Sequence, residues 1–148
     1  MIGKRGKHIP EALAMTYVGG YMIGLDLTAR NLQAEAKKLG LPWDTAKGFD
    51  GALPLSQFIP RDAIGDPNAL TLELKINGEV KQRGSTSDMH YKLPFLISYL
   101  SSIFTLNKGD VIMTGTPPGV GPIKSGDALH ATCSAGEKEV ASCDFTVA

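Results

Sequence analysis

Between Thr71 and Gln82 the chain has little conformational choice. Two strand-like runs, Thr71 to Ile76 and Glu79 to Gln82, flank the dipeptide Asn77-Gly78. Asn and Gly are the residues that accept positive φ at both central positions of a two-residue turn, the turn whose twist matches paired strands. A β-hairpin is therefore expected, and whatever fold forms must be built around it.

The remaining elements follow from periodicity and punctuation. Glu11 to Met15 has room for one helical turn before Gly19-Gly20 interrupts. In the apolar run Tyr21 to Leu27, strand alternation puts Tyr21, Ile23, Leu25 and Leu27 on one face and Met22, Gly24, Asp26 and Thr28 on the other. Thr28 is placed to cap a helix over Ala29 to Leu39, with Ala29, Leu32, Ala36 and Leu39 as its stripe and Gly40 as its stop. Leu41 to Pro60 reads as loop. A second helix starts at Pro94 and carries Leu96, Ile97, Leu100, Ile103 and Phe104 at helical spacing. Asp110 to Thr114 reads as a buried strand leading into Thr114-Gly115-Thr116-Pro117-Pro118-Gly119-Val120-Gly121. Two further strands are expected near Ala128 to Cys133 and Glu139 to Val147. With no repeat, linker or low-complexity tract, the pattern predicts one α+β domain over residues 1–148.

Composition narrows the function. Fifteen basic residues balance fifteen acidic ones, so no net field recruits nucleic acid or an anionic membrane, and a small neutral or anionic substrate fits better. No apolar stretch reaches the roughly 18 residues of a membrane span, and the first ten residues lack the apolar core of a signal peptide. Cys133 and Cys143 have no metal-ligand spacing and read as reduced thiols of an intracellular protein, with a cross-strand disulfide as the alternative.

Three features can carry chemistry. Asp26 is a lone carboxylate in an apolar run; its charge is costly to desolvate unless something positive meets it, and a metal ion is the natural partner. Arg30 and Gln33, three apart, project together from the following helix. A local cap or a pair with Arg30 explains Asp26 equally well. Lys47, in Ala46-Lys47-Gly48-Phe49-Asp50, is by pattern alone a solvated loop lysine. In Thr114 to Gly121, exposed N–H groups and two hydroxyls are suited to a carboxylate or oxyanion, although a tight structural turn has the same pattern. It is not a P-loop, since no Gly-Lys-Ser/Thr follows. His8, His90 and His130 are scattered singly and are assigned no role.

These motifs also occur together in a recognisable order. Gly24-Leu25-Asp26-Leu27-Thr28-Ala29-Arg30-Asn31-Leu32-Gln33, Lys38 to Trp43, Ala46 to Asp50, Val80 to Gln82, Gly84 to Met89 and Leu106 to Gly121 resemble the fumarylacetoacetate hydrolase family over essentially the whole chain. The resemblance is to its acylpyruvase and oxaloacetate decarboxylase or tautomerase branch. It implies a mixed β-roll of the family's C-terminal domain type with two main helices, usually dimeric, holding Mg2+ or Mn2+ on three carboxylates. Asp26 would be one of them. The Glu-x-Glu pair that supplies the other two, and the His and Glu of an earlier lid, have no counterpart here. The chain is accordingly expected to be an N-terminally truncated catalytic domain.

By the same resemblance Lys47 would neutralise charge or deliver a proton, Gln33 and Arg30 would orient substrate or water, and Thr116 with Gly115 and the loop N–H groups would hold the substrate carboxylate. The implied activity is acylpyruvate C–C hydrolysis, or oxaloacetate decarboxylation or tautomerisation, through a metal-stabilised enolate. The alternatives are a non-catalytic remnant acting as a binding or dimerising module, and a hydratase or isomerase of unsaturated 2-oxo acids. The implied location is cytoplasmic, or mitochondrial if a targeting segment precedes Met1. An incomplete domain is also expected to expose Tyr21, Ile23 and Leu25 and to aggregate or require a partner.

Overall fold

The computed structural model describes residues 1–148. The chain divides into two compact units, one formed by Met1–Ile23 with Ser56–Ala148 and the other by Gly24–Leu55. In chain order the strands are β1 (Gly20–Tyr21), β2 (Ile59–Pro60), β3 (Leu70–Ile76), β4 (Glu79–Ser85), β5 (Ala128–Ala135) and β6 (Lys138–Thr146). The helices are α1 (Arg30–Leu39), α2 (Asp44–Lys47) and α3 (Leu93–Ile103), with 3-10 turns at Glu11–Tyr17, Arg61–Ala63 and Thr86–Asp88. The architecture is α+β, as expected.

In the larger unit the hairpin forms where the Asn-Gly pair puts it. Asn77 and Gly78 have φ of 52° and 83°, the double positive-φ turn that feeds two strands without splaying them. The hairpin is one half of a four-stranded antiparallel sheet of order β4-β3-β5-β6. The β5 and β6 strands match the two expected near the C-terminus, β5 running two residues further at its C-terminal end and β6 lying one residue earlier at both ends. Asn77 ties turn to sheet: its amide oxygen accepts from Ala128 N–H at 2.9 Å, and its amide nitrogen donates to Asp127 at 2.8 Å.

Two apolar clusters fill this unit. Ile2, Ile9, Ala14, Val18, Ile97 and Leu106 form one, which α3 covers with Ile97; Ile64, Leu70 and Cys133 form the other. Tyr21 and Ile23 pack against the second cluster and are half-buried, so they do not form the bare face expected of an incomplete domain. Ser101 is fully buried and bridges elements, accepting from Ile9 N–H at 2.8 Å and donating to Ser98 O at 2.8 Å. Cys133 is buried, Cys143 is half-buried, and both are free thiols whose pKa is raised by burial, with Asp144 adding to the rise at Cys143.

Two expected strands are absent. The run from Tyr21 to Leu27 contributes only Tyr21 to β1, and Asp110 to Thr114 forms no strand: Asp110 O accepts from Ile2 N–H at 2.8 Å, and Val111 and Met113 are exposed. Beyond that single bond Asp110 to Thr114 joins no ladder, and within it Ile112 alone packs on a core cluster. An apolar composition does not make a strand without a ladder partner.

The smaller unit packs α1 and α2 over Ala36, Ala46 and Ala52, all buried. Its first segment runs extended beside the last: Gly24 bridges Leu55, Leu25 N–H donates to Pro54 O, and Leu27 N–H donates to Ala52 O. Pro54 has no N–H to return to Leu25, so the pairing stays an isolated bridge with one-way bonds and not a strand ladder. Gly40, at φ 67°, ends α1 as expected. Thr28 does not cap it. Its hydroxyl donates to Asp26 O and accepts from Lys47, leaving Ala29 at the cap position without a side-chain bond. The expected α1 stripe is also largely outward, since Leu32 and Leu39 are exposed and only Ala36 is buried.

Candidate active site

Asp26 lies in the irregular segment just before α1 and is half-exposed, not buried in a strand. The positive group that meets it is Lys47, whose Nζ lies 2.8 Å from Asp26 Oδ2 and 2.8 Å from Thr28 Oγ1. Two backbone features bring them together. Ala29 N–H donates to Ala46 O at 3.0 Å, and Asp44–Lys47, expected to be loop, turns as α2 and aims Lys47 back at the extended segment. Lys47 Nζ thereby lies between a carboxylate and a hydroxyl, with about a third of its side chain exposed. Arg30 and Gln33 form the adjacent pair the spacing predicted, Arg30 Nη1 donating to Gln33 Oε1 at 3.0 Å.

Thr116 and Gly115 belong to the larger unit. They sit in an exposed loop that lines a cavity of about 290 Å³ together with Leu72, Ser85, Thr86, Asp88 and His90. That volume is near the lower bound for small-molecule sites. No backbone hydrogen bond is donated from residues 115–121, so the loop retains the free N–H groups that an anion requires. Gly115 has φ 113°, a conformation open to glycine and costly for other residues.

Sequence reasoning missed what holds this loop. Gln82 on β4 donates through Nε2 to Thr116 Oγ1 at 2.9 Å and to Pro117 O at 2.7 Å. A signal was present two residues on: Gly84 stands inside a strand, a place where glycine often marks the close approach of another segment. A Cβ at Gly84 would lie 2.6 Å from Pro117 Cβ. Histidines remain without a catalytic arrangement. His130 Nδ1 faces Asp144 at 2.8 Å across β5 and β6, and His90 stacks edge-on against Tyr91.

The residues do not by themselves fit a divalent cation. Mg2+ and Mn2+ favour about six oxygen ligands, whereas the 148 residues bring together no group of three or more His, Cys, Asp or Glu, and Asp26 is already engaged by Lys47.

Comparison with known proteins decides the family. The family model described as "Fumarylacetoacetate (FAA) hydrolase C-terminal" matches residues 1–148. The chain belongs to the fumarylacetoacetate hydrolase family. Over 131 residues, 88% of the chain, it is 56% identical to a mouse protein named oxaloacetate tautomerase FAHD1, mitochondrial, and 53% identical to the Arabidopsis thaliana protein of that name. The aligned part is 59% of the length of each of those relatives. Among solved family structures, fumarylpyruvate hydrolase from Pseudomonas aeruginosa, in complex with Mn2+ and pyruvate, superposes with a TM-score of 0.92 at 34% identity, covering 99% of this chain and 61% of that one. A yeast fumarylacetoacetate hydrolase family protein gives 0.91 at 33%, with 99% and 63% covered.

Proposed function

We propose that residues 1–148 are part of the catalytic domain of an enzyme acting on small 2-oxo acids, which hydrolyses acylpyruvates such as fumarylpyruvate or tautomerises or decarboxylates oxaloacetate. The observation that carries this reading is the 56% identity to an oxaloacetate tautomerase, extending over the segments that hold Asp26, Lys47 and Thr116. Each of these reactions shifts electrons onto the 2-oxo oxygen as an enolate forms. In this reading Lys47 offsets that developing charge or returns the proton. Arg30 and Gln33 orient the substrate or a water, and Thr116 with the free N–H groups beginning at Gly115 takes the carboxylate.

For the complete enzyme we propose Mg2+ or Mn2+ as the ion, with Asp26 as the single ligand these residues supply. The Mn2+ in the Pseudomonas aeruginosa relative supports the choice of a divalent ion. A homodimer is the proposed assembly. A mitochondrial location is proposed, supported by the relatives' names; no helix is long and apolar enough to cross a membrane.

A second reading, a binding or dimerising module without turnover, is favoured by the missing carboxylate cluster. The test is a substrate panel of oxaloacetate, fumarylpyruvate and an unsaturated 2-oxo acid, with and without Mn2+. Turnover of either of the first two supports the enzyme reading. Pyruvate binding without turnover supports the binding module, and turnover of the unsaturated acid alone makes the protein a hydratase or isomerase.

A further inference from the structure

We infer that Gln82 is a positioning residue that fixes Thr116 as a hydrogen-bond donor toward the bound anion, and so sets what chemistry the loop accepts. The inference rests on the proposed 2-oxo acid site and adds to it a residue from a different strand.

The Pro117 carbonyl oxygen can only accept, so the end of the Gln82 amide that faces it at 2.7 Å must be the NH2 group, and the orientation of the amide is settled by its partners. The second hydrogen of that NH2 group then points to Thr116 Oγ1 at 2.9 Å. Thr116 Oγ1 is thereby committed to accepting from Gln82, and its own proton is left to be given elsewhere. No other side chain of the protein takes that proton. A hydroxyl held this way offers a proton to a carboxylate or oxo oxygen and disfavours a ligand group that can only donate.

The loop is seated firmly enough for the lock to be geometric. A Cβ at Gly84 would meet Pro117 Cβ at 2.6 Å, and one at Gly119, where φ is 103°, would collide with the Lys81 carbonyl oxygen. Residues 117 and 119 therefore lie flush on β4, on either side of the Gln82 amide. The third cleft feature is negative: Asp88 also lines the cavity, so an anion entering it needs a donor already aimed.

The test has a ligand-free arm and a ligand arm. In labelled, unliganded wild-type chain, nuclear Overhauser contacts from the Gln82 amide protons to the Thr116 methyl group and slowed exchange of those protons are expected; their absence overturns the lock. With pyruvate as the probe, Gln82→Glu keeps the shape but cannot donate, and is expected to weaken binding about tenfold, the cost of losing a donor to a charged group. Thr116→Val should lose as much, Thr116→Ser should retain affinity, and the double variant Gln82→Glu with Thr116→Val should be no weaker than Thr116→Val alone. Additive losses, or unchanged affinity in Gln82→Glu, overturn the positioning role. Gln82→Met replaces Gln82→Glu if the carboxylate prevents folding, with the same expectation. A wild-type chain that shows the lock yet binds no pyruvate overturns the 2-oxo acid reading, and the ligand half of the inference falls with it.

Discussion

At the scale of single residues, the Lys47–Asp26 pair separates charge chemistry from stability. Both side chains are substantially exposed, and pairs of this kind are worth about 0–1 kcal/mol. Lys47→Met is therefore expected to leave the thermal midpoint within a few degrees of wild type while abolishing turnover in the complete enzyme. Asp127 gives the pH prediction. Its pKa is lowered, first by the side-chain bond from Asn77 and then by the Lys124 N–H. A carboxyl depressed in the folded state contributes stability that is present above its unfolded pKa and is lost as pH falls through the folded one. Urea midpoints measured toward acid pH should fall more steeply for wild type than for Asp127→Asn, whose neutral amide does not titrate.

Among the elements, α3 is tied to the N-terminal segment by the Ser101 hydroxyl, by the His8 N–H bond to Ser101 O and by the packing of Ile97. Ser101→Ala would strand the buried Ile9 N–H, a cost of about 1–3 kcal/mol, and an unchanged urea midpoint would show that the bond contributes nothing. The same scale shows what can be read from sequence. The Asn77-Gly78 hairpin, the α3 start at Pro94 and the Gly40 stop were legible because each rests on local backbone preference. The strand expected around Asp26 failed because its would-be partner segment carries Pro54, and a ladder is a property of two segments. Arg30 with Gln33 was legible at helical spacing. Lys47 beside Asp26, 21 residues apart, and Gln82 beside Thr116, 34 apart, were not, since no local rule brings such pairs together.

For the whole molecule, an exposed ridge that begins at Tyr91 and continues along α3 bears on assembly. Tyr91 and Phe95 stack at 4.7 Å and Phe95 and Tyr99 at 6.1 Å, with more than a third of each side chain exposed and Ile103 continuing the strip. The proposed dimer would cover such apolar surface, so sedimentation should report twice the 15.7 kDa chain mass, shifted to monomer by Phe95→Asp; a wild-type monomer would refute it. The proposed role of the Thr114 to Gly121 loop is to take the carboxylate of a 2-oxo acid. Its most direct test is a pyruvate titration of the 15N-labelled chain, following the Gly115 and Thr116 amides in wild type and in Thr116→Val. Saturable shifts centred on those two residues, and weakened in the variant, are the predicted result; shifts elsewhere, or none, would contradict it.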